Sequence, residues 1–255
     1  MDFSEFGLAD NLVYGSRRIF ERRLRILEET QKLIVDQGFE KFRMRELCKR
    51  AEVAPHTIYK AFGSRERLIA LAIRHQFESF ATNHPLKYPR RSLQGALERV
   101  IIGHATMLSM KEYVKAVTSI YFSLTVDEDL RDAVGYNVVL TLLPWAKRLQ
   151  QQGYLRDSVT AEDLVEQIIR LKFTVSLEWS RMEISDEIFL EKKVLAVLSS
   201  AAGLTDGEGY ERINLYLTDF LGQRKIFDEF RDEVSQKAIG TAKRKDASVQ
   251  RAAVN

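Results

Sequence analysis

Apolar residues recur along most of the chain at the spacing of an α-helix. Met44, Leu47, Cys48 and Ala51 fall at i, i+3, i+4 and i+7, so they line one face of a short helix. Helix-forming residues dominate, and only four prolines and thirteen glycines interrupt the 255 residues. We therefore predict an all-α protein. Its longer helices are predicted over residues 17–37, 64–80, 93–109, 111–124, 130–152, 161–182, 186–202 and 210–234.

A second short helix is predicted directly after the first. Three residues, 52–54, separate the two, and Pro55 has the fixed φ that suits a first helical turn. Two short helices joined so tightly are typical of a helix-turn-helix, and Ile58 and Phe62 can face inward. The outward side chains of the second helix include no acid: His56, Thr57, Tyr59 and Lys60. Such a face suits the phosphates and base edges of a DNA major groove.

Basic residues are concentrated in the part of the chain that holds this motif. Residues 17–75 contain fifteen Lys and Arg against eight Asp and Glu, a local charge of +7, whereas the whole chain has a formal net charge of +3. The remaining residues therefore carry −4. A basic block of this kind is expected for a polyanionic partner, and a face that is merely solvated is the alternative.

Pro85 and Pro89 mark the clearest boundary in the chain. We predict an N-terminal extension over residues 1–16 and a helix-turn-helix domain with a connector helix over residues 17–84. A larger helical domain is predicted over residues 85–236 and a basic tail over residues 237–255. The tail has five Lys and Arg against one Asp among small residues, which is typical of disorder.

The sequence contains no pattern typical of an enzyme or a metal site. The four histidines, His56, His75, His84 and His104, form no constellation with Cys48 or with paired acids. No glycine-rich phosphate loop and no nucleophile motif occurs. We therefore predict no catalytic activity, no metal and no cofactor, and we interpret His75 and Cys48 as packing residues.

Features of secreted and membrane proteins are also missing from the sequence. The first residues lack the basic, apolar and small-residue order of a signal peptide, and no apolar run approaches the roughly 18 residues that span a bilayer. A single cysteine cannot form an intramolecular disulfide. These observations predict a cytoplasmic protein with no membrane partner.

Two predicted helices, 161–182 and 186–202, are apolar on more than one face. Such helices either lie deep in a large core or bury a second face against another chain. We predict a homodimer in which these helices form a four-helix bundle with their copies, and deep burial is the alternative. Pro144 lies inside the predicted helix 130–152, where it is expected to kink or split the helix and open a cavity beside it.

The segment from residue 26 to residue 69 resembles the N-terminal domain of TetR-family transcriptional regulators. The shared pattern is a helix that ends in Gly-Phe, a helix in which apolar, acidic and basic residues precede an alanine, and a short helix with Thr-apolar-Tyr. A Phe and a Ser-basic-Glu step follow. In this chain these features are Gly38-Phe39, Glu46-Leu47-Cys48-Lys49-Arg50-Ala51, Val53, Thr57-Ile58-Tyr59, Phe62 and Ser64-Arg65-Glu66.

The resemblance implies a set of DNA-contacting residues. Its members are Arg43, Arg45, Pro55, His56, Thr57, Tyr59, Lys60 and Arg65. The chain departs from the family pattern at three positions. Glu52 replaces the glycine that is common in the turn, and Arg43 and Ala54 replace hydroxyl residues that usually cap the two helices. Arg43 can still reach a phosphate, whereas Glu52 is expected to strain the turn and Ala54 to leave the second helix without a side-chain cap.

The resemblance also implies that the larger domain binds a small molecule and dimerises. The candidate pocket residues are Phe122, Tyr136, Trp145, Phe173 and Trp179, and an ordinary place in the helical core is the alternative for each. The expected function is a homodimeric repressor that a small, mainly apolar ligand releases from its double-stranded operator. The alternative is a DNA-binding regulator whose larger domain docks a protein partner instead of a small ligand.

Overall fold

The computed structural model describes residues 17–83 and 86–235, and this part of the chain is almost entirely helical. It contains eleven helices and no strand, apart from one isolated bridge between Leu155 and Thr205. The predicted all-α class is confirmed. The helices are α1 (Arg17–Gln37), α2 (Met44–Arg50), α3 (Pro55–Phe62), α4 (Arg65–Asn83), α5 (Leu93–Leu108), α6 (Lys111–Phe122), α7 (Glu128–Gln151), α8 (Ala161–Ser180), α9 (Asp186–Leu204), α10 (Gly207–Leu221) and α11 (225–235).

Local hydrogen bonds fix the ends of several helices. At the start of α8, the Asp163 N–H donates to Thr160 Oγ1 (3.1 Å) and the Thr160 N–H donates to Asp163 Oδ2 (2.9 Å), which is a reciprocal capping box. Ser64 Oγ accepts from the Arg67 N–H (3.0 Å) at the start of α4, as predicted. Gly38 ends α1 with a φ of +78°, in the left-handed region that glycine adopts without strain.

Helices α1 to α4 share one apolar core. Each of them contributes a side chain that is fully buried there: Leu33, Leu47, Ile58 and Ile69. The histidine predicted to be a packing residue, His75, is half buried, and its Nδ1 lies 3.4 Å from Nε2 of Gln31. This contact links α4 to α1, so the connector helix is part of the same packed unit as the helix-turn-helix.

The same core continues from α4 and α1 into the larger domain. It includes Ile120 of α6 and Ala133 of α7, and α4 packs along α7. The Arg74 guanidinium of α4 lies 4.7 Å from the centroid of the Tyr136 ring of α7. The hydroxyl of Tyr136 donates to Glu78 of α4 (3.3 Å). A displacement of α7 is therefore passed directly to α4.

A second core lies between α5, α7, α8, α9 and the last two helices. Ile213 of α10 and Phe230 of α11 are both buried in it. The α11 helix returns over the loop of residues 86–90, where the rings of Phe230 and Tyr88 lie 5.3 Å apart. Lys87 and Glu233 form an ion pair across the same contact. The C-terminal helices therefore hold this loop against the larger domain.

The prediction of a single helix over residues 210–234 is wrong. The chain turns between α10 and α11, where Arg224 adopts a φ of +60°. The carboxylate of Asp219 accepts hydrogen bonds from the N–H groups of Ile226 (3.1 Å) and Phe227 (3.0 Å). Because these bonds satisfy N–H groups at the start of α11, they act as its cap and favour the break.

Pro144 does not split α7, which runs from Glu128 to Gln151. The proline ring lacks an N–H, so the carbonyl of Leu140 loses its usual helical donor. Leu140 lines the cavity described below, whereas Pro144 itself does not. The predicted cavity is therefore found along the turns that precede the proline, without a break in the helix.

Most of the apolar residues that suggested an interface on α8 and α9 are buried within the single chain. Packing against α5, α7 and α10 covers much of both helices. Eight of these residues are at most 9% exposed: Ile168, Phe173, Val175, Val194, Val197, Leu198, Ala201 and Ala202. The alternative of deep burial thus explains most of their apolar surface. Leu171, 39% exposed, and the partly exposed Leu177 and Leu195 remain on the outside, and the homodimer stays a prediction.

Several sequence-based predictions lie outside the described residues. They concern the extension over residues 1–16, the boundary at His84 and Pro85, and the tail over residues 237–255. The domain limits therefore stay a prediction. Within the described ranges, no helix combines the length and the apolar character that crossing a bilayer requires.

Candidate nucleic-acid interface and ligand cavity

Helices α2 and α3 form the predicted helix-turn-helix. Residues 51–54 join them, and Pro55 stands in the first turn of α3. Leu47 of α2 and Ile58 of α3 are fully buried, and Phe62 is 4% exposed. Because these side chains fix the inner side of α3 on the core, the opposite side is held toward solvent.

The outer side of α3 carries four of the residues predicted to contact DNA. His56 and Lys60 are exposed, Tyr59 is 48% exposed and Thr57 is half buried. The helix contains no Asp or Glu, so nothing on it repels a phosphate. Its hydroxyl, imidazole and ammonium groups can donate hydrogen bonds to phosphates and base edges.

Three further predicted residues extend this surface at the helix starts. Arg45 in the first turn of α2 and Pro55 at the start of α3 are exposed. Arg43 precedes α2 and is also exposed, and its Nη1 donates to the carbonyl of Glu40 (2.9 Å). We call the combined surface the α3 face. Its members are Arg43, Arg45, Pro55, His56, Thr57, Tyr59 and Lys60.

Two of the three departures from the family pattern, Glu52 and Ala54, have the structural consequences that were predicted. Glu52 adopts a φ of +52°, a left-handed conformation that a residue with a Cβ atom disfavours. Arg43 and Ala54 occupy the N-cap positions of α2 and α3, and neither makes a side-chain capping bond. The helix-turn-helix is thus held by its apolar core more than by its local turn chemistry.

Arg65 is engaged with the protein itself. Its Nη2 donates to the carbonyl of Phe39 (3.2 Å), and its Nη1 donates to Glu66 Oε1 (3.2 Å). The guanidinium also lies over the rings of Phe39 (4.8 Å) and Phe42 (5.4 Å). These contacts tie the start of α4 to the loop between α1 and α2. Sequence reasoning missed this positioning role, and a phosphate contact by Arg65 stays a prediction.

Arg23 of α1 anchors the other end of α3. Its Nη2 donates to the carbonyl of Ala61 (2.8 Å), and its guanidinium carbon lies 5.4 Å from the centroid of the Phe62 ring. The structure separates Arg23, which supports α3, from the neighbouring exposed arginines of α1, Arg18, Arg22 and Arg25.

An internal cavity lies in the larger domain between α4, α5, α6, α7, α8 and α9. Its volume is about 120 Å³. Leu86 and the exposed Arg90 belong to its lining, so the cavity reaches the surface beside the loop of residues 86–90. The apolar part of its wall includes Phe77, Met107, Met110, Val114, Val134 and Val138.

Of the five aromatic residues predicted to form a pocket, Phe173 lines this cavity and the other four do not. Phe122 is 42% exposed at the end of α6, and Tyr136 lies at the contact between α4 and α7. Trp145 is buried in the second core, and Trp179 stacks on a neighbouring phenylalanine at 4.4 Å. The prediction that these four residues line the cavity is corrected, because helical spacing does not determine which neighbouring helix an aromatic side chain meets.

Two lysines belong to the cavity lining, one from α8 and one from α9. Lys172 is 7% exposed and Lys193 is 1% exposed. Burial lowers the pKa of Lys172 from 10.5 to about 8. Burial and the nearby Lys172 hold the pKa of Lys193 well below its ordinary value. The spacing in the sequence indicates this inward position, because each lysine follows a buried apolar residue by four positions, Ile168 and Phe189 respectively.

Three other buried polar atoms at the cavity have no hydrogen-bond partner within the described part of the chain: His104 Nδ1, Tyr113 Oη and Thr118 Oγ1. Burial, with a smaller contribution from Lys193, lowers the pKa of His104 to about 4, so its imidazole is neutral at pH 7. Burial raises the pKa of the Tyr113 hydroxyl, which therefore stays protonated. Across residues 17–83 and 86–235, no cluster of His, Cys, Asp or Glu side chains is suited to hold a metal ion.

Known proteins match the N-terminal part of the chain. Residues 26–72 match the family model described as bacterial regulatory proteins, tetR family. The HTH-type transcriptional repressor KstR of Rhodococcus jostii (strain RHA1) is 36% identical over 83 residues, which are 31% of this chain and 39% of that protein. KstR of Mycobacterium tuberculosis (strain ATCC 25618 / H37Rv) is 38% identical over 63 residues, 25% of this chain and 29% of that protein. The chain thus matches less than half the length of these relatives.

Solved structures share the arrangement of much of the described chain. TylP, a TetR regulator from Streptomyces fradiae, superposes with a TM-score of 0.53 at 17% identity, covering 84% of this chain and 99% of that one. A TetR transcriptional regulator from Rhodococcus sp. RHA1 gives a TM-score of 0.50 at 18% identity, covering 72% and 96% of the two chains. At such identities the likeness concerns the fold, which is a helix-turn-helix domain followed by a larger helical domain.

Proposed function

We propose that this chain, whose residues 26–72 match the tetR family model, is a dimeric DNA-binding repressor of that family, and that its affinity for DNA changes when a small ligand enters the cavity. The observation that carries the proposal is the α3 face. It is exposed and free of acid, and Ile58 and Phe62 hold it rigidly from behind. The repressors that match the N-terminal segment support the same activity for this chain.

The α3 face would read base edges from the major groove. His56 and Arg45 carry donors suited to base edges, whereas Tyr59 and Lys60 carry groups suited to phosphates. Phosphate contacts supply affinity that does not depend on sequence, and base contacts supply discrimination. The two pairs of residues should therefore respond differently to substitution.

Two α3 faces must be about one helical turn of DNA apart, ~34–36 Å, to enter successive major grooves. A twofold dimer provides this spacing and favours a palindromic operator. The outer strip of α8 and α9, with Leu171, Leu177 and Leu195, is the surface we assign to the contact between the two copies. Leu171→Arg would place a charge on this strip. We expect it to give a monomer in sedimentation velocity, and a dimer of unchanged stability would contradict the assignment.

The cavity can act on the α3 face through the connector helix. Phe77 of α4 lines the cavity, and its ring packs edge to face against Tyr113 of α6 at 6.2 Å. A ligand that prefers one position of this ring shifts the balance between two positions of α4. Because α4 follows α3 after two residues, its displacement changes the separation of the two α3 faces in the dimer. The cavity favours this ligand-dependent mode over docking of a protein partner by the larger domain.

The test starts with selection of bound duplexes from a random DNA library, followed by binding measurements on the selected operator and on scrambled DNA. Tyr59→Ala and Lys60→Ala should weaken binding to both DNAs, and Lys60→Ala should also reduce the dependence of log K on log salt by about 1. His56→Ala and Arg45→Ala should weaken operator binding selectively, by about 1–3 kcal/mol for each lost base contact.

The matched control is Lys115→Ala, which removes an exposed lysine that pairs with Glu112 on α6, away from the α3 face. It makes the same charge change as Lys60→Ala and should bind DNA like the unmodified protein. If all four α3-face variants behave like this control, the assignment of the DNA-binding surface is wrong.

A further inference from the structure

The wall of the cavity carries basic side chains, and no acidic residue of the described lining balances their charge. The Nζ atom of Lys193 lies 2.7 Å from Sδ of Met107 and 3.5 Å from the centroid of the Phe189 ring. These are weak partners for an ammonium group, and neither carries a formal charge. Lys172 lies on the neighbouring helix α8, and its side chain makes no hydrogen bond or ion pair with another described residue.

Acidic residues are missing from the lining described for the cavity. The charged and titratable side chains that face it come from α5, α6, α8, α9 and the preceding loop: Arg90, Arg99, His104, Tyr113, Lys172 and Lys193. All of them are cationic or neutral at pH 7. An isolated buried ammonium group costs several kcal/mol unless an opposite charge accompanies it. The lining is therefore complementary to an anion.

Neutral donors lie beside the two lysines. The hydroxyls of Tyr113 and Thr118 are buried at the cavity without a partner among the described residues, and both can donate to an oxygen atom. The rest of the wall is largely apolar, with Phe77, Met110 and Val138 among its members. A molecule that fills this space needs one small anionic group and an apolar body.

We propose that the cavity binds an amphipathic carboxylic acid, with its carboxylate between Lys172 and Lys193 and its hydrocarbon part against the wall formed by α4, α5, α6 and α7. A single carboxylate matches one fixed positive charge and a second lysine that takes up a proton. The inference rests on the proposed function only for its consequence, the release of DNA. The binding site itself follows from the lysines, the unpaired donors and the apolar wall.

Binding should be accompanied by proton uptake. Without a ligand, burial favours the neutral form of Lys193, and Lys172 adds to this effect. A carboxylate between the two ammonium groups favours the charged form and raises the pKa of Lys193. Titration calorimetry in buffers of different ionisation enthalpy measures the number of protons taken up, and we expect a value above zero for the acid and near zero for a neutral analogue.

The experiment compares saturated carboxylates from hexanoate to dodecanoate with the primary alcohols of equal length, on full-length protein stripped of bound lipid. We expect at least one acid to bind about 10- to 100-fold more tightly than its alcohol, since hydrogen bonds to charged groups contribute about that factor. Lys172→Met and Lys193→Met should each remove most of this preference and leave alcohol binding nearly unchanged. Lys115→Met, the exposed control on α6, should retain it.

The outcomes separate the two proposals. If acids and alcohols bind equally to the unmodified protein, or if the preference survives both lysine substitutions in folded variants, the carboxylate site is wrong even when the protein binds DNA. If acids bind through the lysines but the selection yields no duplex that the protein binds, the carboxylate site stands and the repressor function is wrong. The comparison of acids with alcohols needs no variant, so a lysine variant that does not fold leaves it decisive.

Discussion

Replacing Lys172 by methionine should stabilise the ligand-free protein. Lys172 is 7% exposed and faces an apolar cavity whose lining includes no acid among the described residues. Its ammonium group has therefore lost its hydration without gaining a counter-charge. Methionine has a similar unbranched shape and no charge, so it can fill the same space without that cost.

The magnitude of the gain follows from the pKa of Lys172. Burial lowers this pKa from 10.5 to about 8, and a shift of that size corresponds to about 3 kcal/mol. Below pH 8 the lysine is charged in both the folded and unfolded states, so the full penalty applies. Between about pH 8 and 10.5 the folded state releases its proton first, and the unfolded state then binds more protons. The stability of the unmodified protein should accordingly rise with pH in that window.

Urea unfolding of both proteins from pH 6.5 to pH 10 provides the measurement. The free energy of unfolding of Lys172→Met should exceed that of the unmodified protein by about 3 kcal/mol at pH 7. This difference should shrink steadily above pH 8. Lysines and tyrosines away from the cavity titrate in both proteins and cancel in the difference, which then reports Lys172 together with its effect on the pKa of Lys193. A variant that is less stable at pH 7, or a difference that does not change with pH, would refute the account of a buried and unbalanced charge.

Three further substitutions test local features of the fold by thermal or urea unfolding. Glu52→Gly should stabilise the protein by about 0.5–1 kcal/mol, because relief of the left-handed strain exceeds the added chain entropy; a loss of stability would contradict strain at this turn. Asp219→Ala should cost about 1–2 kcal/mol through the loss of two backbone caps at the start of α11, and no loss would mean that the apolar contacts alone set the turn. Gly95→Ala would bring a Cβ atom to 2.0 Å from the carbonyl oxygen of Pro89, so it should cost about 1–3 kcal/mol or more, and normal stability would mean that this loop moves freely.

The helix-turn-helix was predictable because its determinants are local. The inner residues of α2 and α3 repeat at helical spacing, and Pro55 and Gly38 mark helix ends by backbone conformation alone. The consequences of Glu52 and Ala54 followed from the same local rules. The roles of Arg65 and Arg23 could not be predicted in this way, because their hydrogen-bond partners, the carbonyls of Phe39 and Ala61, lie far away in the chain.

The pocket residues were less predictable because several helices compete for the same apolar faces. Spacing places Trp145 and Trp179 on buried faces, yet it does not say which neighbouring helix each face meets. The same ambiguity attributed most of the apolar surface of α8 and α9 to a dimer interface, whereas α10 covers much of α9 within the chain and leaves only the outer strip for such a contact. The break between α10 and α11 was missed for a related reason, since Asp219 caps a helix that begins several residues later.

The cavity and the α3 face are backed by one continuous apolar core. Phe77 lines the cavity and also belongs to the core that buries Ile58 behind the α3 face. A core packed to crystal-like density does not absorb a displaced ring by local compression, so a ligand that moves Phe77 must move α4 or α6. Because α4 also packs on α7 through Arg74 and Tyr136, the helix has a firm support against which it can pivot. We therefore expect occupancy of the lysine-lined cavity to change the orientation of the α3 face through this continuous core.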